Sequence, residues 1–115
     1  MSSFARVTSE QHGDTPVARL HGEIDASNVS SLGTELRSLL TNRSEALVVD
    51  LTDVRYLDSA GINLLFTVGD ELRARQLKLR VVVGPGTPIA RVVAITSLDS
   101  AYPTFGSLDD ALAQE

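Results

Sequence analysis

The chain has 115 residues, of which 43% are hydrophobic and 22% are charged, and its formal net charge is -5. This length and composition predict one globular domain over residues 1–115 and exclude a disordered tail. Without cysteine, disulfide frameworks and thiolate zinc sites are excluded, and a reducing compartment such as the cytoplasm is expected. Direct nucleic-acid binding, a secretory signal and membrane insertion are not expected, because the sequence has no basic cluster and no long apolar run.

The first predicted elements are two strands, Phe4 to Gln11 and Val17 to Ile24. The turn cluster between them, residues 12–16, holds a glycine and a proline, which interrupt regular pairing. Two strand-like segments around such a cluster predict an antiparallel hairpin.

Helices and strands alternate over the rest of the chain. The predicted helices lie at residues 29–40, 59–72, 88–95 and 108–113, and the predicted strands lie at residues 47–51, 77–83 and 101–105. The order β-β-α-β-α-β-α-β-α predicts an α/β fold with a mixed sheet of about five strands, in which the strands after the hairpin are parallel. Polar and apolar residues alternate in the strands at residues 17–24 and 77–83, so we expect the helices mainly on one face and water on much of the other.

The segment from Asp50 to Gly61 joins a strand to a helix and holds three aspartates and a serine. The simplest interpretation is that Asp58 or Ser59 caps the helix by accepting hydrogen bonds from its unpaired amides. Gly61 costs a helix roughly 1 kcal/mol relative to alanine, and with the small Ala60 it is predicted to leave the helix mouth open around the Ser59 hydroxyl. Because a helix N-terminus favours negative charge, a phosphate on Ser59 would be tolerated there.

A second polar segment, Gly22 to Asn28, also joins a strand to a helix. The simplest interpretation is again a cap, here by Asp25 or Ser27. Because parallel crossovers bring such loops to one edge of the sheet, Asp25 and Ser59 are expected on one surface, where α/β folds usually build their sites.

Catalytic, metal and cofactor sites are not predicted. Both histidines precede Ser59 in the predicted hairpin, and no Gly-x-Ser-x-Gly motif is present, so a serine hydrolase is not expected. Asp50, Asp53 and Asp58 could offer oxygen ligands to a metal ion. The apolar residues between them argue against a metal site, and a solvated loop is the favoured interpretation.

Four segments in order resemble the STAS domain of anti-sigma factor antagonists. They are Gly22-Glu23-Ile24-Asp25, Val49-Asp50-Leu51, Leu57-Asp58-Ser59-Ala60-Gly61-Ile62 and Thr104 to Leu112. The resemblance covers nearly the whole chain with the right spacing throughout. It implies the STAS-like (βα) superhelix and a regulatory protein that is not an enzyme.

The resemblance also implies a switch. In that family the unphosphorylated antagonist binds an anti-sigma factor, often a GHKL-type serine kinase, and so releases a sigma factor for transcription. The kinase phosphorylates the serine of an Asp-Ser-x-Gly motif, and a metal-dependent Ser/Thr phosphatase restores binding. Carried over to this sequence, Ser59 is the phosphoacceptor. The implied partner-binding residues are Asp25, Asp58, Ser59, Ala60 and Gly61, and Ala60 replaces what is often a second hydroxyl residue.

Two alternatives stay open at this point. Small STAS proteins also serve as subunits of lipid-transport ATPase complexes, in which Ser59 would be a contact and not a phosphorylation site. A STAS module could also sense a nucleotide or another metabolite at the strand-end surface, although the sequence lacks the glycine-rich cradle that would support this.

Overall fold

The computed structural model describes residues 4–113. One sheet has the strand order β1-β2-β3-β4-β5, and its strands are β1 (Ala5–His12), β2 (Thr15–Ile24), β3 (Ala46–Leu57), β4 (Lys78–Val82) and β5 (Thr104–Phe105). β1 and β2 pair antiparallel, and the later neighbours in the sheet pair parallel. The predicted mixed sheet is therefore confirmed.

The helices follow the predicted alternation with one addition. Those that correspond to predicted helices are α1 (Val29–Ser38), α2 (Ser59–Ala74), α3 (Pro88–Ile95) and α5 (Leu108–Leu112). The addition is α4 (Leu98–Ala101), a single turn that begins after Ser97. Because α4 ends at Ala101, the strand predicted at residues 101–105 is shortened to two residues.

The hairpin turn between β1 and β2 is tighter than predicted. His12 pairs with Thr15, so Gly13 and Asp14 form the whole turn. Gly13 has a φ of 62°, a left-handed backbone conformation that glycine adopts without steric cost and that two-residue hairpin turns require.

β3 continues well beyond Leu51, where the predicted strand ends, so the prediction of a loop after Leu51 is wrong. Leu51, Val54 and Leu57 are all buried on the helix side of the sheet. Buried residues therefore recur every third position here, and the pairing with β2 contains two register shifts. Such irregularities insert extra residues into one strand, and they remove the alternation by which a strand is recognised in a sequence.

The main core lies between one face of the sheet and the helices α1, α2 and α3. Fully buried residues of the central strands, among them Leu20 and Leu47, belong to the same cluster as Leu36 of α1 and Leu65 of α2. Burial of each such side chain stabilises the fold by roughly 2 kcal/mol. This packing fixes the position of α2 on the sheet.

The opposite face of the sheet is partly covered by α5. A second, smaller cluster there contains Val17, Val48, Val82 and Ala111. Beyond it, the Arg19 guanidinium forms an ion pair with Asp50, with Nε 3.1 Å from Oδ2, and Asp50 is only 2% exposed. The helices do lie mainly on one face, as predicted, but α5 shields more of the other face from water than the strand pattern indicates.

Tyr102 connects the end of α4 to α2. Its buried hydroxyl donates to the Asp70 carboxylate and lies 3.1 Å from the Phe66 carbonyl oxygen. The Arg73 guanidinium lies 4.9 Å from the centre of the tyrosine ring, and a Cβ at Gly69 would lie 2.3 Å from that ring. Burial and the hydrogen bond to Asp70 raise the pKa of Tyr102 to about 12.

We expect Tyr102→Phe to lower the free energy of unfolding by about 1 kcal/mol near neutral pH, because one hydrogen bond is lost. The raised pKa stabilises the folded state while the tyrosine is protonated, and this contribution disappears as pH rises from 10 to about 12. The advantage of the wild type over Tyr102→Phe should therefore shrink across that range in urea titrations. A constant difference between the two proteins would contradict the assignment.

Candidate functional site

β2 and β3 end side by side at one edge of the sheet. Ile24 and Leu57 are register partners, and the Asp58 N–H donates a 3.2 Å hydrogen bond to the Ile24 carbonyl. The strands are parallel, so the residues that follow them leave the sheet at the same edge. The structure therefore places Asp25 and Ser59 at neighbouring strand ends, as the crossover argument predicts.

Asp58 is the residue that caps α2. Its Oδ1 accepts hydrogen bonds from the N–H groups of Ala60 (2.9 Å) and Gly61 (3.1 Å). Ser59, the other predicted candidate for the cap, is the first helical residue. Its side chain is exposed, and within residues 4–113 its hydroxyl has no hydrogen-bond partner. Because the carboxylate carries out the capping, the hydroxyl is left available to other molecules.

Asp25 shapes the loop before α1 and does not cap that helix. Its Oδ1 accepts hydrogen bonds from the Ser27 N–H (2.9 Å) and hydroxyl (2.6 Å). The N-cap position belongs to Asn28, whose side chain instead accepts from the Asp25 N–H and donates to the Glu23 carbonyl. The predicted cap by Asp25 or Ser27 is therefore wrong, because a turn closed by these contacts precedes the helix.

Gly61 is buried against the strand ends. A Cβ at this position would lie 2.4 Å from Cδ1 of Leu57 and 3.0 Å from Cγ2 of Ile24. The predicted role of Gly61, opening the helix mouth around Ser59, is therefore wrong, because its missing side chain faces the sheet. The glycine lets the first turn of α2 pack directly on both strands.

A groove between α1 and α2 begins at Ala60, directly after Ser59. Its volume is about 480 Å³. The lining residues are Val29, Ser30, Thr34, Arg37, Ala60, Asn63, Leu64 and Thr67. The sequence prediction missed this side of the site. The available signal was the spacing of small polar residues four positions apart on both helices, Ser30 with Thr34 and Asn63 with Thr67, which places each pair on one helix face.

The three aspartates considered as metal ligands have separate partners. Asp50 pairs with Arg19, Asp53 lies 3.4 Å from Nδ1 of His21, and Asp58 caps α2. Across residues 4–113 no cluster of three or more potential ligands could hold a metal ion. Nor does any helix in this described part have the length and apolar character needed to cross a membrane.

The family model of the STAS domain matches residues 6–111. The chain therefore belongs to the STAS domain family, and the predicted resemblance is confirmed. It is 29% identical over 106 residues to the anti-sigma-F factor antagonist RsfB of Mycobacterium tuberculosis, a match that covers 92% of this chain and 85% of RsfB.

Solved structures agree with this fold. An anti-sigma factor antagonist from Mycobacterium paratuberculosis has a TM-score of 0.84 at 28% identity, over 95% of this chain and 92% of that one. The unphosphorylated form of the anti-sigma factor antagonist SpoIIAA has a TM-score of 0.73 at 18% identity, over 93% of both chains. The second likeness concerns the fold alone.

We expect Asp58→Ala to lower the free energy of unfolding by about 1 kcal/mol, because two amides of α2 lose their acceptor. Asp58→Asn keeps an acceptor oxygen and should retain most of the stability. Asp53→Ala serves as the control, since it removes an exposed carboxylate that caps no helix. Urea denaturation compares the three variants, and a loss for Asp58→Ala no larger than that for Asp53→Ala would argue against the cap.

We expect Gly61→Ala to destabilise the fold by about 1–3 kcal/mol, because the new methyl group overpacks the strand ends. The gain in helix propensity, about 1 kcal/mol, offsets part of this cost. In a Leu57→Ala background the nearest clash is removed, so the penalty of Gly61→Ala should fall. A double-mutant cycle measures the coupling, and an unchanged penalty in that background would contradict the packing explanation.

Proposed function

We propose that this chain is an anti-sigma factor antagonist formed by a single STAS domain. Its unphosphorylated form binds an anti-sigma factor of the GHKL serine-kinase type and releases a sigma factor in the cytoplasm. Phosphorylation of Ser59 ends this binding, and a metal-dependent Ser/Thr phosphatase restores it. Membership of the STAS family and the names of the relatives support the class of partner. The observation that carries the proposal is the exposed hydroxyl of Ser59 at the start of α2, which has no hydrogen-bond partner among residues 4–113.

The availability of the hydroxyl distinguishes Ser59 from the nearby Ser27. The Ser27 hydroxyl donates a 2.6 Å hydrogen bond to Asp25, and a kinase would have to break that bond first. The Ser59 hydroxyl needs no such rearrangement. At the position after Ser59, Ala60 offers no second acceptor. Of these neighbouring positions, we therefore assign Ser59 as the phosphoacceptor.

The transfer requires no catalytic group from this chain. The Ser59 Oγ attacks the γ-phosphorus of ATP held by the kinase, the bond from that phosphorus to ADP breaks, and the serine proton passes to a base of the kinase. α2 contributes position, because its first turn is fixed on the strand ends by Gly61 and capped by Asp58. This division of labour agrees with a regulatory protein that is itself no enzyme.

The electrostatics explain how one phosphate can abolish binding. Phosphoserine carries a charge of about −1.5 to −2 at neutral pH. The N–H groups of Ala60 and Gly61, which would be the natural hydrogen-bond donors to that phosphate, already donate to Asp58. The phosphate therefore adds charge next to a carboxylate on the surface that faces the partner. Its desolvation and its repulsion of acidic partner groups weaken the complex without refolding of the domain.

We expect wild type and Ser59→Ala to bind the anti-sigma factor with similar affinity, and Ser59→Asp to bind more than a hundredfold more weakly, which corresponds to about 3 kcal/mol. Ser100→Asp is the matched control, since it adds the same charge at an exposed serine of α4. Isothermal titration calorimetry against the candidate kinase measures the affinities. Equal affinities for all four proteins would refute the switch.

The site assignment has its own measurement. After incubation with ATP and the kinase, intact-mass analysis should show one phosphoryl group on wild type and on Ser27→Ala, and none on Ser59→Ala. Phosphorylation of Ser59→Ala to the wild-type level would contradict the assignment. In a pull-down, recovery of a transporter ATPase in place of the kinase would support the lipid-transport alternative against this proposal.

A further inference from the structure

β1 is the edge strand of the sheet, and within residues 4–113 its outer side pairs with no other strand. The Phe4 carbonyl accepts a hydrogen bond from the Glu23 N–H, and His12 pairs with Thr15 across the two-residue turn. Backbone groups of successive residues in a strand point to opposite sides. The even-numbered residues of β1 therefore bond to β2, and the odd-numbered residues, Ala5, Val7, Ser9 and Gln11, direct their N–H and C=O groups away from the sheet.

This free edge is long and contains no proline or lysine that would block pairing with another strand. Two of its side chains carry opposite charges, Arg6 and Glu10, and they lie symmetrically on either side of Thr8. All three side chains are exposed. The edge therefore has the features that a two-fold symmetric contact requires, because a surface that pairs with itself must be self-complementary.

We propose that β1 pairs antiparallel with β1 of a second copy of this chain, centred on Thr8, so that the two sheets join into one. In this arrangement the free backbone groups of Val7 face those of Ser9 in the second copy, and the free groups of Ala5 face those of Gln11. Arg6 of each copy then lies opposite Glu10 of the other. The contact contains two equivalent ion pairs as well as the backbone hydrogen bonds.

The charges select this register over its neighbours. A centre on Val7 would place Arg6 opposite Thr8 and leave the charges unmatched, and a centre on Ser9 would place Arg6 opposite His12. The Thr8 centre alone among these three brings Arg6 and Glu10 together. These residues would form a non-hydrogen-bonded pair, in which side chains of neighbouring antiparallel strands are closest.

Both charged side chains are available for the contact. Arg6 has no side-chain hydrogen bond or ion pair within residues 4–113. Glu10 makes two long contacts, 3.5 Å to His12 and 3.6 Å to Arg19, and its side chain is 47% exposed. Such exposed contacts contribute little to stability and can rearrange.

The pairing leaves the Ser59 surface open. Ala5, at the start of β1, pairs with Gly22 near the end of β2, so Ser59 lies at the same end of the sheet as the start of β1. In an antiparallel pair of β1 strands the two Ser59 surfaces lie at opposite ends of the joined sheet. The dimer thus presents two separate sites, and its existence does not depend on the proposed function of Ser59.

Charge reversals test this register. Sedimentation velocity over a range of protein concentrations should show reversible dimerisation of wild type. We expect Arg6→Glu alone and Glu10→Arg alone to dimerise at least tenfold more weakly, because each places two pairs of like charges opposite each other. An equimolar mixture of these two variants should form a heterodimer, and the double variant with both reversals should dimerise again. Arg43→Glu, a charge reversal at an exposed residue between α1 and β3, should behave as wild type.

A backbone variant provides an independent measurement. Ser9→Pro removes an N–H that faces away from β2 and should abolish dimerisation while the hairpin persists, as checked by circular dichroism and thermal unfolding. A wild type that is monomeric up to about 1 mM would overturn the proposal. A dimer that survives the single charge reversals, or that is not recovered in the mixture, would overturn it as well.

Discussion

The close approach of α2 to the ends of β2 and β3 determines where the residues of the candidate site lie. It is possible because position 61 carries no side chain, so that the first turn of the helix rests on Leu57 and Ile24. These two residues are themselves register partners. The pairing of β2 with β3 therefore fixes the surface on which the first turn of α2 packs. The helix in turn fixes the position of Ser59 at the ends of these strands.

Asp58 and Ser59 have different roles at the start of α2, although either residue type can cap a helix. Serine and aspartate are both common helix caps, and a capping serine would have its hydroxyl directed at the helix amides. Here the carboxylate of Asp58 takes both amide hydrogen bonds, and the serine hydroxyl one position later remains exposed. The same arrangement fixes a carboxylate beside the hydroxyl, and the Asp25 loop lies at the neighbouring strand end.

Much of the fold could be predicted from the sequence, because hydrophobic periodicity and turn residues mark most of the elements. The end of β3 could not, since irregular pairing there replaces a period of two by a period of three at Leu51, Val54 and Leu57. α4 escaped prediction for a different reason. It is a single turn that follows Ser97, whose φ of 63° is uncommon outside glycine, and so short a helix has no periodicity.

For the site, the proximity of Asp25 and Ser59 followed from topology alone, because parallel strands deliver their loops to one edge. The sequence limits the cap of α2 to Asp58 or Ser59, and only the folded structure distinguishes between them. The predicted role of Gly61 is wrong, and the reason applies to any glycine in a helix. A sequence records that a side chain is missing, but the direction in which it would have pointed depends on how the helix sits on the sheet.

The two-residue turn at Gly13 and Asp14 has a consequence for the order in which the molecule assembles. Hairpins with short turns close within microseconds, whereas parallel pairing must first bring distant segments together and lose the corresponding chain entropy. β1 and β2 can thus form while later residues are still being synthesised. Ser59 reaches its position at the strand ends only after β3 has docked beside β2. In a chain that is still attached to the ribosome, the edge strand β1 can therefore form before Ser59 reaches its folded position.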